Sequence, residues 1–140
     1  MNRTQKRLMI TTAALSAATA AGVAFVYRPY QREIETAYRR LAQLGRRSSY
    51  TACGKVEYAV RGEGAPVLLI HGSAGGFDQA LYIARDHLDS GFRVIAPSRF
   101  GYLGAPLPPG ATPKTQADTF VCLLNELGIE QVGAVAYSAG

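Results

Sequence analysis

Three short apolar runs limit what this chain can fold into. Val67-Leu68-Leu69-Ile70 is continuously apolar, as expected of a strand covered on both faces; Phe92–Pro97 carries Val94 and Ile95, and Val132–Ala136 completes the set. The segments between them have helical spacing. Phe77 to Leu88 places Ala80/Leu81, Ala84 and Leu88 on one side, with Gly91 beyond its end. A second helix is predicted from Thr112 as N-cap and Pro113 in its first turn; Ala117, Phe120/Val121, Leu124 and Leu127 form its apolar stripe, and Gly128 stops it. Upstream, Lys55–Arg61 alternates Val56, Tyr58 and Val60 with polar neighbours and reads as a half-buried strand. Gly62–Pro66 is a turn, and the Pro- and Gly-rich stretch Gly101–Gly110 is a loop. Strand–helix–strand–helix–strand implies parallel strands joined by helical crossovers, an α/β layered fold.

Ahead of this pattern lies a segment of another kind. Leu8 to Tyr27 is twenty residues without a charge, long enough at about 1.5 Å per residue to cross a hydrocarbon core of roughly 30 Å. Arg3, Lys6 and Arg7 precede it; Arg28 and Arg32 follow. One reading is an uncleaved membrane anchor. Another is an export signal with Leu8–Ala17 as its apolar region and Ala18-Thr19-Ala20 as a small-residue cleavage site. Arg39, Arg40, Arg46 and Arg47 add to the carboxyl-terminal flank, so the positive-inside rule favours a cytoplasmic domain for an anchor, whereas a cleaved signal exports it.

Gln31 to Leu44 forms a further predicted helix, since Ile34, Ala37, Tyr38, Leu41 and Leu44 recur at helical spacing before Gly45. It is a stalk, a helix packed on the domain, or an interfacial helix held by anionic lipid. Arg46-Arg47-Ser48-Ser49 reads as a linker. The expected organisation is therefore an anchor or signal over residues 1–28, an amphipathic helix and linker over 29–49, and a globular portion over 50–140.

Charge follows the same division. The chain carries +5 overall, but residues 1–50 hold +7 and residues 51–140 hold −2. A basic stretch beside an apolar segment points to membrane lipid, with residues 8–27 as the contact, and the mildly acidic remainder offers no face to nucleic acid. Cys53 and Cys122 match no metal spacing, and Cys122, among apolar residues of a predicted helix, reads as a buried inert thiol.

Two turns carry the chemistry. His71-Gly72-Ser73-Ala74-Gly75-Gly76 follows a strand directly; glycines there let the backbone turn sharply and bring N–H groups against a ligand oxygen. A tight turn without function and a phosphate cradle are alternatives, though neither the GxGxxG nor the GxxxxGK[ST] pattern occurs. His71 has no partner at metal-ligand spacing, so no metal and no cofactor is expected. The second turn, Ala136-Tyr137-Ser138-Ala139-Gly140, follows the strand Val132–Ala136 and surrounds a serine with small residues, as a strained strand-to-helix turn requires. Ala136 stands where that pattern usually begins with glycine.

From about Lys55 to Gly140 the chain resembles the amino-terminal part of an α/β-hydrolase, in the branch of esterases, haloperoxidase-like enzymes and carbon–carbon bond hydrolases. The resemblance rests on Val67-Leu68-Leu69-Ile70-His71-Gly72, on Val94-Ile95-Ala96-Pro97-Ser98-Arg99-Phe100-Gly101-Tyr102, on Leu123-Leu124-Asn125-Glu126-Leu127-Gly128-Ile129, and on the serine turn. It implies a partial α/β-hydrolase sheet with Ser138 as nucleophile. Backbone N–H groups of Ser73 and Ala139 would form an oxyanion hole, with His71 and Gly72 supporting that loop. The resemblance further implies a small-molecule carboxylic ester or related carbonyl compound as substrate. Serine rather than aspartate at 138 argues against haloalkane dehalogenases and epoxide hydrolases as guides. Ser98 departs from the aspartate that many relatives carry there, which leaves that loop without its usual support.

A serine nucleophile needs a histidine base and a carboxylate, which in this family follow the serine in the chain. The only histidines here are His71 and His87, the latter on a predicted helix with no reason to reach Ser138. These 140 residues alone are expected to be inactive, and the strand ending at Ala136 is expected to be an exposed apolar edge that invites aggregation. The competing reading is a catalytically dead, membrane-tethered remnant or interaction protein.

Overall fold

The computed structural model describes residues 2–73, 75–88 and 90–140, without the side chain of Leu8. The chain divides between Arg40 and Leu41 into two units. The first is one continuous helix, α1, spanning Arg3–Gln43 and so ending just inside the second unit. The predicted break between an apolar segment and a separate helix from Gln31 does not occur. Pro29 lies inside α1, where it removes one backbone donor without ending the helix. Thr11, Ser16 and Thr19 donate their hydroxyls to the carbonyls of Arg7, Thr12 and Leu15, one turn back. Those bonds satisfy the polar groups of an otherwise apolar surface, as an apolar solvent would demand. The helix is long and apolar enough to cross a membrane.

The second unit is a five-stranded sheet in the order β1-β2-β4-β3-β5. The strands are β1 (Arg47–Thr51), β2 (Gly54–Arg61), β3 (Ala65–Ile70), β4 (Phe92–Pro97) and β5 (Gly133–Ala136). Helices α2 (Phe77–His87) and α3 (Pro113–Glu126) make the crossovers β3–α2–β4 and β4–α3–β5. β4, β3 and β5 run parallel, while β1 and β2 pair antiparallel with each other and β2 antiparallel with β4. β1 takes in Arg47 to Ser49, residues expected to be linker. A short turn at Ala52-Cys53 folds it back in register on β2, which a polar strand at a sheet edge permits.

The two faces carry separate cores. α3 sits on Val56, Tyr58, Leu68 and Ile95 through Phe120 and Leu123; α2 sits on Ala59, Leu69 and Val94 through Phe77, Ala80 and Leu81. β2 is therefore covered on both faces, from Val56 through Ala59, and is not half-buried. Its Glu57 is buried completely. The α3 stripe is also rotated from expectation: Thr119, Phe120, Leu123 and Leu124 are buried, while Ala117 is exposed and Val121 is 53% exposed. The reason is Thr119, whose hydroxyl donates to the Thr115 carbonyl at 2.8 Å and so can be buried like a valine.

Cys53 and Cys122 form a disulfide, which corrects the reading of Cys122 as an inert thiol. The β1–β2 turn lies beside α3, bringing residues 69 apart in sequence to a Cα separation of 6.0 Å, inside the range a bridge needs.

Because β3, β4 and β5 are parallel, their carboxyl ends open on the same edge. His71, Ser98 and Ser138 all lie just past those ends. All four residues of β5 are exposed, with Val135 40% accessible, and Tyr137 just beyond is 50% accessible.

Candidate active site

The serine turn is built by close contact with β3. Tyr137 N–H donates to the Ile70 carbonyl at 3.0 Å, and Gly140 N–H closes the turn on the Tyr137 carbonyl at 2.9 Å. A Cβ on Gly140 would stand 2.7 Å from the Ile70 carbonyl oxygen and 3.0 Å from that of His71, so only glycine fits. Ser138 itself has φ +55°, a left-handed conformation costly for a residue with a side chain.

The backbone at Gly72 lies against this turn. A Cβ on Gly72 would come within 3.0 Å of the Ser138 Cβ, so the loop backbone abuts the serine. Gly72 N–H donates to Gln79 Oε1 at 2.8 Å, which ties the loop to α2. Among the described residues, no hydrogen bond takes up the backbone N–H of Ser73 or of Ala139. Ser73 is exposed, and Ala74 lies outside the described residues.

His71 is fully buried and works as a clamp. Its Nε2 accepts the Arg99 N–H at 2.9 Å, so its Nδ1 carries the proton and donates to the Gly72 carbonyl at 2.7 Å. Tyr102 meets the ring edge-on at 4.9 Å. Burial lowers the His71 pKa below 6.5, offset in part by the Gly72 bond and reinforced by the Arg99 charge. Both ring nitrogens are occupied, so His71 is unavailable as a base for Ser138. His87 lies in the last turn of α2 and is exposed.

Sequence reading missed Glu57. Its carboxylate pairs with Arg46 Nε through Oε1 and accepts from Ser98 Oγ and Gly104 N–H, each at 2.9 Å, through Oε2. Ser98 Oγ in turn accepts from Phe77 N–H at 3.1 Å. The support that an aspartate in place of Ser98 would give is thus supplied from β2. Ser98 at that position was the available signal; Glu57 gave none, because in an alternating strand it falls on the side read as solvent. A hollow of about 370 Å³ opens beside Gly140, bordered by Ile70, Arg99, Gln116 and Phe120, on the α3 side of the sheet; Ser138 does not border it.

Comparison with known proteins agrees with this architecture. The sequence pattern of the alpha/beta hydrolase fold matches residues 65–140, more than half of the chain. An uncharacterized hydrolase of Bacillus subtilis, YcgS, is 35% identical over 88 residues, which cover 62% of this chain and 30% of that protein. An alpha/beta hydrolase fold protein from Nakamurella multipartita is 39% identical with a TM-score of 0.63, over 67% of this chain and 32% of the other. The crystal structure of a membrane phospholipase A, described as a bacterial virulence factor, is 25% identical with a TM-score of 0.61 and is matched over 96% of this chain and 44% of its own. The chain thus spans about a third of the length of the first two. With parallel strands β4, β3 and β5, a left-handed serine turn seated on β3 and this sequence match, the chain belongs to the α/β-hydrolase family.

Proposed function

We propose that the chain supplies the nucleophile and the oxyanion cradle of a membrane-associated serine hydrolase acting on a carboxylic ester or related carbonyl substrate. The observation that carries this is the left-handed Ser138, held at the end of β5 against Gly72. Backbone strain of this sort persists only where surrounding structure enforces it, and it clusters at reactive residues. In the proposed mechanism Ser138 Oγ attacks the substrate carbonyl, and the amides of Ser73 and Ala139 hold the oxygen as it becomes negative. An acyl-serine forms, the alcohol leaves, and water releases the acid.

The base and its orienting carboxylate have to come from outside these 140 residues, since His71 is clamped and His87 lies away from the turn. The chain alone is then inactive. The likeness to a membrane phospholipase A, which extends over α1 as well as the sheet, supports both the membrane setting and an ester substrate. The Cys53–Cys122 disulfide supports an oxidising compartment for the domain, against the cytoplasmic placement that flanking charge suggested.

Labelling with a fluorophosphonate probe tests the nucleophile. A product that extends past Gly140 and includes the triad partners should label and hydrolyse p-nitrophenyl esters; Ser138→Ala should lose both, by roughly 10⁴-fold or more in turnover. Retained turnover in Ser138→Ala would refute the assignment. If neither this chain nor any longer product labels, the membrane-tethered, catalytically dead reading takes its place.

A further inference from the structure

Glu57 is the one fully buried carboxylate among the described residues, and the proposed chemistry makes no direct use of it. A buried carboxylate is tolerated only when paired and hydrogen-bonded, and Glu57 is both, through Arg46, Ser98 and Gly104. Its backbone carbonyl also accepts the Ser98 N–H at 2.8 Å. What it holds is informative. The N-cap of α2 is Gly76, which has no side chain to satisfy the first amides of the helix. Ser98, arriving from the end of β4, accepts the Phe77 N–H in its place.

A serine hydroxyl has one proton and can point it either way. An ionised carboxylate is an acceptor only, so Glu57 compels Ser98 to donate to it. That leaves the Ser98 lone pairs turned to Phe77. The neighbouring glycines fit the same arrangement: a Cβ on Gly76 would stand 3.0 Å from Ser98 Oγ, and one on Gly104 would run into the Glu57 carboxylate and the Arg46 guanidinium. A continuous path of bonds therefore leads from Arg46 through Glu57 and Ser98 to Phe77. There the chain enters the loop whose Gly72 abuts Ser138.

We propose that Glu57 is a positioning residue for hydrolysis: acting through Ser98, it fixes the amino end of α2 and with it the loop that presents the Ser73 amide beside Ser138. This rests on the serine-hydrolase reading for its catalytic consequence, and on geometry alone for the bracing. Glutamine in place of Glu57 cannot reproduce the arrangement. It keeps an oxygen toward Ser98 and Gly104 only by turning its amide N–H₂ on Arg46; the opposite orientation reverses the Ser98 hydroxyl and aims it at Phe77 N–H.

The test moves the carboxylate by one contact. Glu57→Gln, Ser98→Ala and the double variant Glu57→Gln/Ser98→Asp are compared in the product that labels with fluorophosphonate, and backbone amide exchange is read on the same proteins and on this chain. Glu57→Gln should lower kcat by about 10-fold or more with KM within about 2-fold, since a misplaced oxyanion donor weakens binding of the transition state and leaves substrate binding intact. Amides of residues 72–80 should exchange faster. Ser98→Ala, which leaves the ion pair in place, should show the same pattern and guards against a Glu57→Gln variant that fails to fold. The double variant should regain most of both losses, because the aspartate introduced by Ser98→Asp returns an acceptor-only group to Phe77 N–H. Unchanged kcat and exchange in Glu57→Gln would overturn the proposal, as would a double variant no better than the single. If no product shows esterase activity, the function fails while the exchange arm still decides the bracing.

Discussion

Ser138 is held where a side chain is unfavourable, and the cost can be measured. A left-handed conformation costs an ordinary residue about 1–2 kcal/mol, and glycine is nearly free of it. Ser138→Gly should therefore raise unfolding stability by about 1 kcal/mol while removing every trace of fluorophosphonate labelling. A fall in the urea midpoint would show that the Ser138 side chain stabilises the turn more than its φ strains it. His71 makes a prediction of opposite character. Its folded pKa lies below the unfolded value of 6.5, so above 6.5 both states are neutral and its contribution to stability is complete. As pH falls below 6.5 the unfolded imidazole takes up its proton first, and stability declines toward the depressed folded pKa. The urea midpoint should drop across that window, and His71→Gln, which can still donate to Gly72 and accept from Arg99, should remove the His71 part of the drop. An identical pH profile in both proteins would sink this account. The turns that carry His71, Gly72 and Ser138 were legible from the sequence because each directly follows an apolar strand. Glu57 was not, since a hydrogen-bond partner 41 residues away leaves no local trace.

Among the elements, those with punctuation in the sequence were found and those without it were displaced. Thr112 caps α3: its hydroxyl accepts the Thr115 N–H, and Thr115 Oγ1 accepts the Thr112 N–H, with Pro113 in the first turn. Thr112→Ala should lower stability by about 1 kcal/mol, read as a shift in the urea midpoint with an unchanged slope. No measurable shift would mean that the packing of Phe120 and Leu123 alone sets where α3 begins. Gly128, at φ +66°, closes the same helix where the sequence placed its stop. β1 had no such punctuation. It is polar, and its place comes from pairing with β2, a tertiary event that periodicity does not record. The rotation of the α3 stripe has the same origin, because whether Thr119 counts as apolar depends on the hydroxyl bond it makes after the helix has formed.

At the scale of the whole chain, the disulfide and the flanking charges point to opposite sides of a membrane, and experiment can tell the two apart. Basic residues on the carboxyl-terminal side of the apolar segment bias insertion, but they act as a preference among orientations. A bridge between residues 69 apart is the rule where thiols are oxidised and is rare in a reducing compartment. It also contributes to the fold: closing a loop of that length stabilises by about 4 kcal/mol in the chain-entropy account. It does so by fastening the edge hairpin β1–β2 to α3. Two measurements follow from the one bridge. In cells quenched with acid, maleimide-polyethylene glycol should shift the chain on a denaturing gel only after reduction, and then by two additions. In sealed membrane vesicles of native orientation, added protease should reach the domain without lysis. Free thiols before reduction together with protection from protease would place the domain in the cytoplasm and return the decision to Arg28, Arg32, Arg39 and Arg40. Oxidation with accessibility would place the serine turn on the oxidising side of the membrane.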